Sequence, residues 1–170
     1  MSGTVVVQHV STADFDAFVA ERGDALWRSA WLLTGDAHRA EDLVQTALGK
    51  CWPKFERVSA NGSFEAYVRR TMFTTYTAWW RRRWNGEVAT ATLPESATVA
   101  ADVDARTDLI SALATLPKGQ RAVVVLRYFD DLTEQQTADV LGCTIGTVKS
   151  QTARALVALR ASRALTEEDA

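Results

Sequence analysis

The sequence predicts an all-α fold of two small helical domains joined by a flexible linker. Apolar residues recur at three- and four-residue spacing in segments between residues 12 and 163, which is the period of an amphipathic helix. Capping residues and glycine or proline stops separate these segments. Residues 85–106 have no sustained period and are rich in Ala, Thr, Val and acids. They therefore divide the chain into domains of residues 12–84 and 107–163.

The composition is that of a folded protein with a small net charge. Of the 170 residues, 47% are hydrophobic and 24% are charged, and the formal net charge is −2. This balance argues against a protein that binds nucleic acid by bulk charge. No apolar run approaches the roughly 18 residues of a membrane-spanning helix, and the N-terminus lacks the pattern of a secretory signal. We therefore expect a cytoplasmic protein that does not contact a membrane.

The sequence gives no indication of a catalytic or cofactor site. Cys51 and Cys143 lie far apart and outside any metal-ligand spacing, so each is expected to be a small buried hydrophobe. No pairing of a nucleophile with a base, no metal cluster and no glycine-rich phosphate loop is recognisable. We therefore expect a protein that is not an enzyme and needs no metal or cofactor.

The first two predicted helices are separated by a stop and a cap. The first begins at Ser11 or Thr12 and continues or restarts through Leu33, and Thr34-Gly35-Asp36 ends it and caps the second. The apolar face of the second helix comprises Ala40, Leu43, Val44, Ala47, Leu48, Cys51 and Trp52. Its outer side carries Glu41, Asp42 and Gln45. From the pattern alone, a solvated face is the simpler interpretation of this acidic patch.

A loop and a long helix follow. Residues 58–63 are predicted to form a loop, with Asn61 and Gly62 in its turn and Ser63 as the cap of the next helix. That helix runs from Phe64 to Trp84. The positions predicted to face inward are Phe64, Tyr67, Val68, Thr71, Thr75 and Trp79, and the positions predicted on other sides are Arg69, Arg70, Phe73, Tyr76 and Trp80.

Aromatic residues and arginines are interleaved along this helix. Its arginines are Arg69, Arg70, Arg81, Arg82 and Arg83, with no acid among them and with Trp80 beside the last three. Single-stranded nucleic acid needs such a surface, because bases stack on rings while guanidinium groups hold phosphates. Alternatively, the tryptophans belong to the core and the arginines gain from the macrodipole at the helix C-terminus. The pattern alone leaves the two interpretations even.

The C-terminal domain is predicted to begin with two helices. The first spans Asp104–Leu116, and the second follows Pro117, a residue suited to the first turn of a helix. The apolar positions of the second are Ala122, Val123, Val125, Leu126 and Phe129. Asp130-Asp131 then ends it.

A helical hairpin with a very short turn comes next. Thr133 and Gln136 have the spacing of a capping box, so a helix begins there. Gly142 ends that helix, and Thr144 caps another almost at once. The short turn forces a steep crossing, at which Ala138 is small enough for the backbones to approach. These features favour a DNA-binding helix-turn-helix over an ordinary helical hairpin.

The last helix has an apolar stripe and an acid-free polar side. The stripe comprises Ile145, Val148, Thr152, Leu156 and Leu159. The polar side comprises Thr147, Ser150, Gln151 and Arg154, flanked by Lys149 and Ala153. From Lys149 to Arg163 there are four basic residues and no acidic one. This side fits a DNA major groove, where arginine reads guanine and shorter polar side chains contact bases or phosphates.

Two long stretches resemble a known family. The C-terminal stretch is LPKGQRAVVVLRYFDDLTEQQTADVLGCTIGTVKSQTARAL, in which GTVKS is the most recognisable run. The N-terminal stretches are LLTGDAHRAEDLVQTAL and SFEAYVRRTMFTTYTAWWRRR. The C-terminal stretch resembles the fourth domain, and the N-terminal stretches resemble the second domain, of the extracytoplasmic-function sigma factors of bacterial RNA polymerase. This is the minimal class that has only these two sigma domains. The double match is more specific than either half.

The resemblance implies a promoter-specificity subunit that binds core RNA polymerase and promoter DNA. Glu41, Asp42 and Gln45 would dock on the coiled coil of the largest polymerase subunit, and the flap would provide a second contact. An anti-sigma partner is common in the family, although no residue here requires one. Thr46 stands where the family often has an acid, which bears on the strength of docking.

The resemblance also assigns the DNA contacts. The loop containing Asn61, Gly62 and Ser63 would capture a flipped base of the minus-10 element. The helix that carries Arg69, Arg70, Trp80, Arg81, Arg82 and Arg83 would hold the melted non-template strand. Lys149, Ser150, Ala153 and Arg154 match positions that meet the minus-35 element, and Thr147 and Gln151 lie beside them. Thr74 replaces a usual asparagine and Gln151 a frequent arginine.

The alternative function is a stand-alone helix-turn-helix regulator that binds duplex DNA. Its N-terminal domain would then serve dimerisation or ligand sensing. This alternative predicts symmetric half-sites and tight binding without polymerase.

Overall fold

The computed structural model describes the backbone of residues 12–84 and 103–168 and the side chains of residues 12–79 and 108–163. Within these ranges the chain forms eight α-helices and no strand, which confirms the predicted all-α fold class. The N-terminal half contains α1 (Thr12–Thr34), α2 (Ala37–Cys51), a 3₁₀ turn (Trp52–Lys54), α3 (Phe55–Asn61) and α4 (Phe64–Trp84). The C-terminal half contains α5 (Val103–Ala114), α6 (Lys118–Val124), a π-helical turn (Val125–Phe129), α7 (Glu134–Leu141) and α8 (Ile145–Glu168).

The predicted linker falls mostly outside the described residues. Residues 85–102 are not described, and α5 begins at Val103, within the segment 85–106. The sequence also predicts a loose tail over residues 1–12, of which residues 1–11 lie outside the described residues. None of the described helices is long and apolar enough to cross a membrane.

Helix α2 packs between α1 and α4 and buries the predicted face from Ala40 to Cys51. Asp36 caps it as predicted, since its carboxylate accepts a hydrogen bond from the Arg39 backbone N–H at 3.0 Å. The prediction for Trp52 was wrong, because the chain tightens into the 3₁₀ turn there and leaves the side chain 42% exposed. The ring still contacts that of Phe15, at a centroid distance of 4.7 Å.

Residues 58–61 are helical, so the prediction of a loop over residues 58–63 was wrong for these four. Phe55 anchors α3 because its ring is buried and lies 4.6 Å from that of Phe64. Only Gly62 and Ser63 lie between α3 and α4. Gly62 has an extended φ of 167°, which requires no glycine, and Ser63 caps α4 as predicted through the Ala66 N–H.

Helix α4 buries a wider arc than its apolar pattern predicted. Phe73 and Tyr76, predicted on other sides of the helix, are 1% and 7% exposed. The reason is that α4 packs against α1, α2 and α7, so the core covers more than one side of it. The Tyr76 hydroxyl reaches the Leu33 carbonyl of α1, and its ring lies beside Lys118 of α6. The rings of Phe73 and Tyr76 are therefore core residues and do not provide stacking surfaces for bases.

The helical hairpin of α7 and α8 has the predicted caps. Thr133 and Gln136 form both hydrogen bonds of the capping box, at 3.1 and 2.9 Å. Gly142 ends α7 with a left-handed φ of 67°, which favours glycine because a Cβ would be strained there. Thr144 caps α8 by accepting a hydrogen bond from the Thr147 backbone N–H.

The buried stripe of α8 differs from the prediction at two positions. Val148 is fully buried against Val123 and Ala138, and Ala155, absent from the predicted stripe, is also fully buried. Ile145 is 36% exposed, so its prediction as a buried residue was wrong. At about 100° per residue, Ile145 lies about 60° from Val148, at the edge of the stripe and in the first turn of the helix.

Both halves of the chain contribute to one continuous core. Leu26 and Leu33 of α1 belong to the same buried cluster as Leu113 of α5 and Leu126 of the π-helical turn. The described parts of the two predicted domains are thus packed together.

Candidate nucleic-acid interface

The outer side of α8 presents most of the predicted minus-35 residues to solvent. Thr147, Lys149, Ser150, Ala153 and Arg154 are exposed. Lys149 and Arg154 provide two cations, whereas the hydroxyl groups are partly engaged. The Thr147 hydroxyl lies 3.0 Å from that of Thr144, and the Ser150 hydroxyl donates to the Thr147 carbonyl.

Gln151 is less accessible than the residues around it. It is half-buried, and a Cβ placed on Gly119 would lie 3.7 Å from its Nε2 atom. Its side chain thus lies against the first turn of α6. The periodicity of α8 alone does not reveal this contact, because α6 belongs to a different part of the sequence.

A cleft of about 540 Å³ contains the predicted minus-10 residues whose side chains are described. One wall comes from α3, α4 and the two residues between them, and the opposite wall comes from α7 and from Leu132, which lies two residues before α7. The first wall includes Asn61, Gly62, Ser63, Arg69 and Arg70, together with Arg57, Val58, Ala66 and Tyr67. The second wall comprises Leu132, Gln136, Asp139 and Val140. The cleft therefore gathers three arginines and one acid.

Arg69 and Arg70 differ in their surroundings, although they are adjacent in sequence. Arg70 is exposed, whereas the side chain of Arg69 is 12% exposed. The Arg69 guanidinium lies 2.9 Å from Asp130 Oδ2 and 3.1 Å from Glu65 Oε1. Arg69 is thus held by carboxylates from both halves of the chain. The periodicity of α4 did not predict its ion pair with Asp130.

Asp130 is the most enclosed acid of this network. Its side chain is 4% exposed, and its Oδ1 accepts a hydrogen bond of 2.6 Å from the Ser29 hydroxyl. Burial raises the pKa of the carboxyl group above 3.8, while Arg69 and the Ser29 hydroxyl act in the opposite direction. Ser29 and Asp130 were not predicted as functional residues, because neither lies in a recognisable motif.

A second polar connection joins the halves at the end of α1. The Arg121 guanidinium donates to the Leu33 carbonyl at 2.9 Å, and the Tyr76 hydroxyl donates to the same oxygen at 3.2 Å. Arg121 also donates to the carbonyls of Leu113, Ala114 and Leu116. It thereby satisfies the ends of α1 and α5 together.

The last turns of α4 contain Trp80, Arg81, Arg82 and Arg83. The side chains of these four residues lie outside the part of the chain that is described. Thr74, on the preceding turn, is exposed. Its hydroxyl donates to backbone carbonyls of its own helix, at 2.9 Å to Arg70 and 3.0 Å to Thr71.

The predicted docking residues lie together on the outer side of α2. Glu41, Asp42 and Gln45 are exposed, and the Gln45 amide donates to the Glu41 carboxylate at 3.1 Å. Thr46 is half-buried beside this patch. The opposite side of α2 is buried in the core, so the helix is fixed and presents the patch outward.

Comparisons with known proteins match both halves. The model of Sigma-70 region 2 matches residues 18–86, and the model of Sigma-70, region 4 matches residues 106–159. The RNA polymerase sigma-E factor of Streptomyces coelicolor is 41% identical over 154 residues, covering 86% of this chain and 84% of the relative. The ECF RNA polymerase sigma factor SigL of Mycobacterium tuberculosis is 33% identical, covering 85% of each chain.

Solved structures share the same arrangement of helices. The sigma factor RpoE of Bartonella quintana, in complex with the anti-sigma factor NepR, has a TM-score of 0.68 and 25% identity, covering 86% of this chain and 94% of that chain. CnrH, in complex with the cytosolic domain of CnrY, has a TM-score of 0.66 and 22% identity, covering 95% and 92%. The latter likeness concerns the fold alone.

Proposed function

The chain belongs to the extracytoplasmic-function sigma factors, and we propose that three of its surfaces divide the recognition of a promoter between them. As a sigma factor it binds core RNA polymerase and directs it to promoters for transcription initiation. Sigma factors are regulatory proteins rather than catalysts, and we infer that this chain has no catalytic activity of its own. We also infer that it works in the cytoplasm, where bacterial DNA is transcribed.

The cleft is proposed to take the opened minus-10 DNA. The observation that carries this proposal is that Asn61, Gly62, Ser63, Arg69 and Arg70, which are separated by a helix boundary in sequence, line one cleft. Exposed Arg70 can neutralise a phosphate, and the small residues at positions 62 and 63 leave room for a nucleotide at the cleft rim. The helix end with Trp80, Arg81, Arg82 and Arg83 would continue this surface.

Helix α8 is proposed to read the minus-35 element in the major groove through Thr147, Lys149, Ser150, Gln151, Ala153 and Arg154. Arg154 is the principal base reader, because it is exposed and arginine makes bidentate contacts with guanine. Half-buried Gln151 would contribute less than the others.

Replacing Arg154 tests the minus-35 assignment. We expect Arg154→Ala to cost about 1–3 kcal/mol of promoter binding by the holoenzyme and to relax specificity at one base pair. Arg160→Ala is the matched control, because it removes the same charge from an exposed position of the same helix. Binding would be measured with a promoter selected from a random library by the reconstituted holoenzyme. Equal effects of the two variants would contradict the assignment.

The patch of Glu41, Asp42 and Gln45 is proposed to dock on the coiled coil of the largest polymerase subunit, with the flap as a second contact of the C-terminal half. An anti-sigma factor is also proposed as a partner, which the complex of RpoE with NepR supports. The match of residues 18–86 to Sigma-70 region 2 supports docking over a merely solvated face.

Replacing Asp42 tests the docking surface. We expect Asp42→Ala to weaken binding to core polymerase at least about tenfold, which corresponds to about 1.4 kcal/mol. Asp24→Ala, which removes an exposed acid from α1, should leave this affinity unchanged. Affinity for core polymerase would be measured without DNA, so that DNA contacts cannot contribute. Unchanged affinity of Asp42→Ala would exclude Asp42 from the docking surface.

A further inference from the structure

The cleft between α3, α4 and α7 has the size and the lining of a small-molecule site. Its volume of about 540 Å³ lies within the range of roughly 300–1,000 Å³ that is usual for such sites. Both walls contribute apolar side chains, which are Val58 and Tyr67 on one side and Leu132 and Val140 on the other. These four residues are half-buried, so the cleft still offers apolar surface that a ligand can cover.

The cations of the cleft differ in whether they are already neutralised. The Arg69 guanidinium lies 2.9 Å from Asp130 and is therefore paired. Arg57 and Arg70 are exposed, and neither forms an ion pair with another described residue. Asp139 is the single acid among the lining residues, so the cleft keeps an excess of positive charge. Charge complementarity therefore favours an anionic ligand.

Two neutral polar groups of the lining also have hydrogens left to donate. The Ser63 Oγ atom accepts a hydrogen bond from the Ala66 N–H at 3.2 Å, which leaves its hydroxyl hydrogen for a ligand. The side-chain oxygen of Gln136 accepts one from the Thr133 N–H at 2.9 Å, which leaves the amide hydrogens. Like the two arginines, these groups match an anion with several acceptor oxygens.

We propose that this cleft is a binding site for a small organic anion with an aromatic body, whose charged group binds Arg57 and Arg70 and whose rings pack on Tyr67, Leu132 and Val140. An aromatic body is favoured over an aliphatic one because the Tyr67 ring gains from pairing with another ring. The inference goes beyond the proposed function, since the ligand is a small molecule and uses the α7 wall of the cleft. The ligand and the minus-10 strand would compete for Arg70.

The two parts of such a ligand contribute in different ways. Contacts with exposed cations are weak by themselves, because water and salt screen them. Apolar surface supplies affinity without distinguishing one hydrophobic molecule from another. A molecule that combines both parts should therefore bind more tightly than an uncharged molecule with the same rings.

The test uses anilinonaphthalene sulfonate as its probe, an aromatic monoanion, with the full-length chain. Its control is phenylnaphthylamine, which has the same rings without the sulfonate. Affinities for both would be measured by fluorescence titration, and the stoichiometry of the sulfonate by isothermal titration calorimetry. We expect one sulfonate per chain, bound at least about fivefold more tightly than the uncharged analogue, because hydrogen bonds to charged groups are stronger than neutral ones.

Charge variants test the polar end of the site. Arg70→Ala should weaken binding of the sulfonate at least about fivefold, and Arg28→Ala, at an exposed arginine of α1, should not. Asp139→Asn removes the acid of the cleft and should tighten binding, whereas Asp24→Asn, at an exposed acid of α1, should leave it unchanged. Urea denaturation verifies that each variant is as stable as the wild type.

A filling variant tests the location of the rings. Ala66 is exposed and lines the cleft, so Ala66→Leu places a larger side chain in the space for the ligand. We expect this variant to bind both the sulfonate and the uncharged analogue more weakly than the wild type does. Ala20→Leu, at an exposed position within α1, makes the same change outside the cleft and should have no effect.

Binding of several sulfonates per chain, or equal affinities of Arg70→Ala and Arg28→Ala for the sulfonate, would overturn the site. Promoter opening by the holoenzyme separates this failure from failure of the proposed function. If Arg70→Ala impairs opening but binds the sulfonate as tightly as Arg28→Ala, the cleft binds DNA and only the small-molecule site is wrong. If Arg70→Ala changes neither quantity, the minus-10 assignment of Arg70 is wrong as well.

Discussion

Asp130 is subject to two opposing effects. Burial disfavours its charged form, whereas Arg69 and Ser29 favour it, and nearby Glu65 disfavours it again. Burial dominates, so the pKa of Asp130 is raised in the folded protein. The folded chain consequently binds this proton more tightly than the unfolded chain does. By linkage, the contribution of Asp130 to stability is greatest below its ordinary pKa of 3.8 and decreases as the pH rises through the raised value.

This linkage predicts how Asp130→Asn changes stability with pH. Asparagine cannot ionise, so the free energy of unfolding of the variant relative to the wild type should increase as the pH is raised from about 4 to 7. Urea denaturation of both proteins at several pH values measures this difference, in which the other carboxylates cancel. A difference that stays constant or decreases over the range would show that burial does not control Asp130.

The exposed site residues were easier to predict than the paired ones. Arg70 is exposed where the pattern placed it, and Ser63 caps α4 as its position before an apolar run indicated. Arg69 lies one position earlier, which rotates it about 100° around the helix. Its partner Asp130 belongs to the other half. Local periodicity carries no information about such a distant contact, so its burial could not be predicted.

At the scale of elements, helix ends were predicted well wherever a side chain caps them. Asp36, Ser63, Thr133 and Thr144 each accept the expected backbone hydrogen bond. Helix α3 was missed because no cap marks it and Asn61-Gly62 resembles a turn. It forms because Phe55 is anchored in the aromatic cluster, which is a tertiary effect.

The capping box of α7 is expected to stabilise the hairpin measurably. Thr133→Ala removes the acceptor of the Gln136 N–H and should lower the free energy of unfolding by about 1 kcal/mol. Thr74→Ala is the control, because an exposed threonine within α4 gains helix propensity on replacement by alanine. Chemical denaturation followed by circular dichroism measures both. If Thr133→Ala is as stable as the wild type, the cap does not contribute.

At the scale of the whole molecule, the two domains were predicted from the break in periodicity, but their contact was not. The network of Ser29, Arg69 and Asp130 and the link from Arg121 to Leu33 depend on residues brought together only by folding. This packing places the cleft proposed for minus-10 DNA against α7, while the patch proposed for docking on α2 and the outer side of α8 stay exposed. The docking patch is therefore accessible in this arrangement, whereas a strand lying along α4 would meet α7.

Promoter opening in the reconstituted holoenzyme tests the central claim most directly. Core polymerase, the full chain and a selected promoter are mixed, and permanganate-reactive thymines are mapped near the start site. Reactive thymines should appear only when the chain is present, and Arg70→Ala should reduce them whereas Arg28→Ala, at an exposed arginine of α1, should not. Tight binding of the chain alone to duplex DNA, with no reactive thymines on addition of core polymerase, would contradict this account and favour the stand-alone regulator.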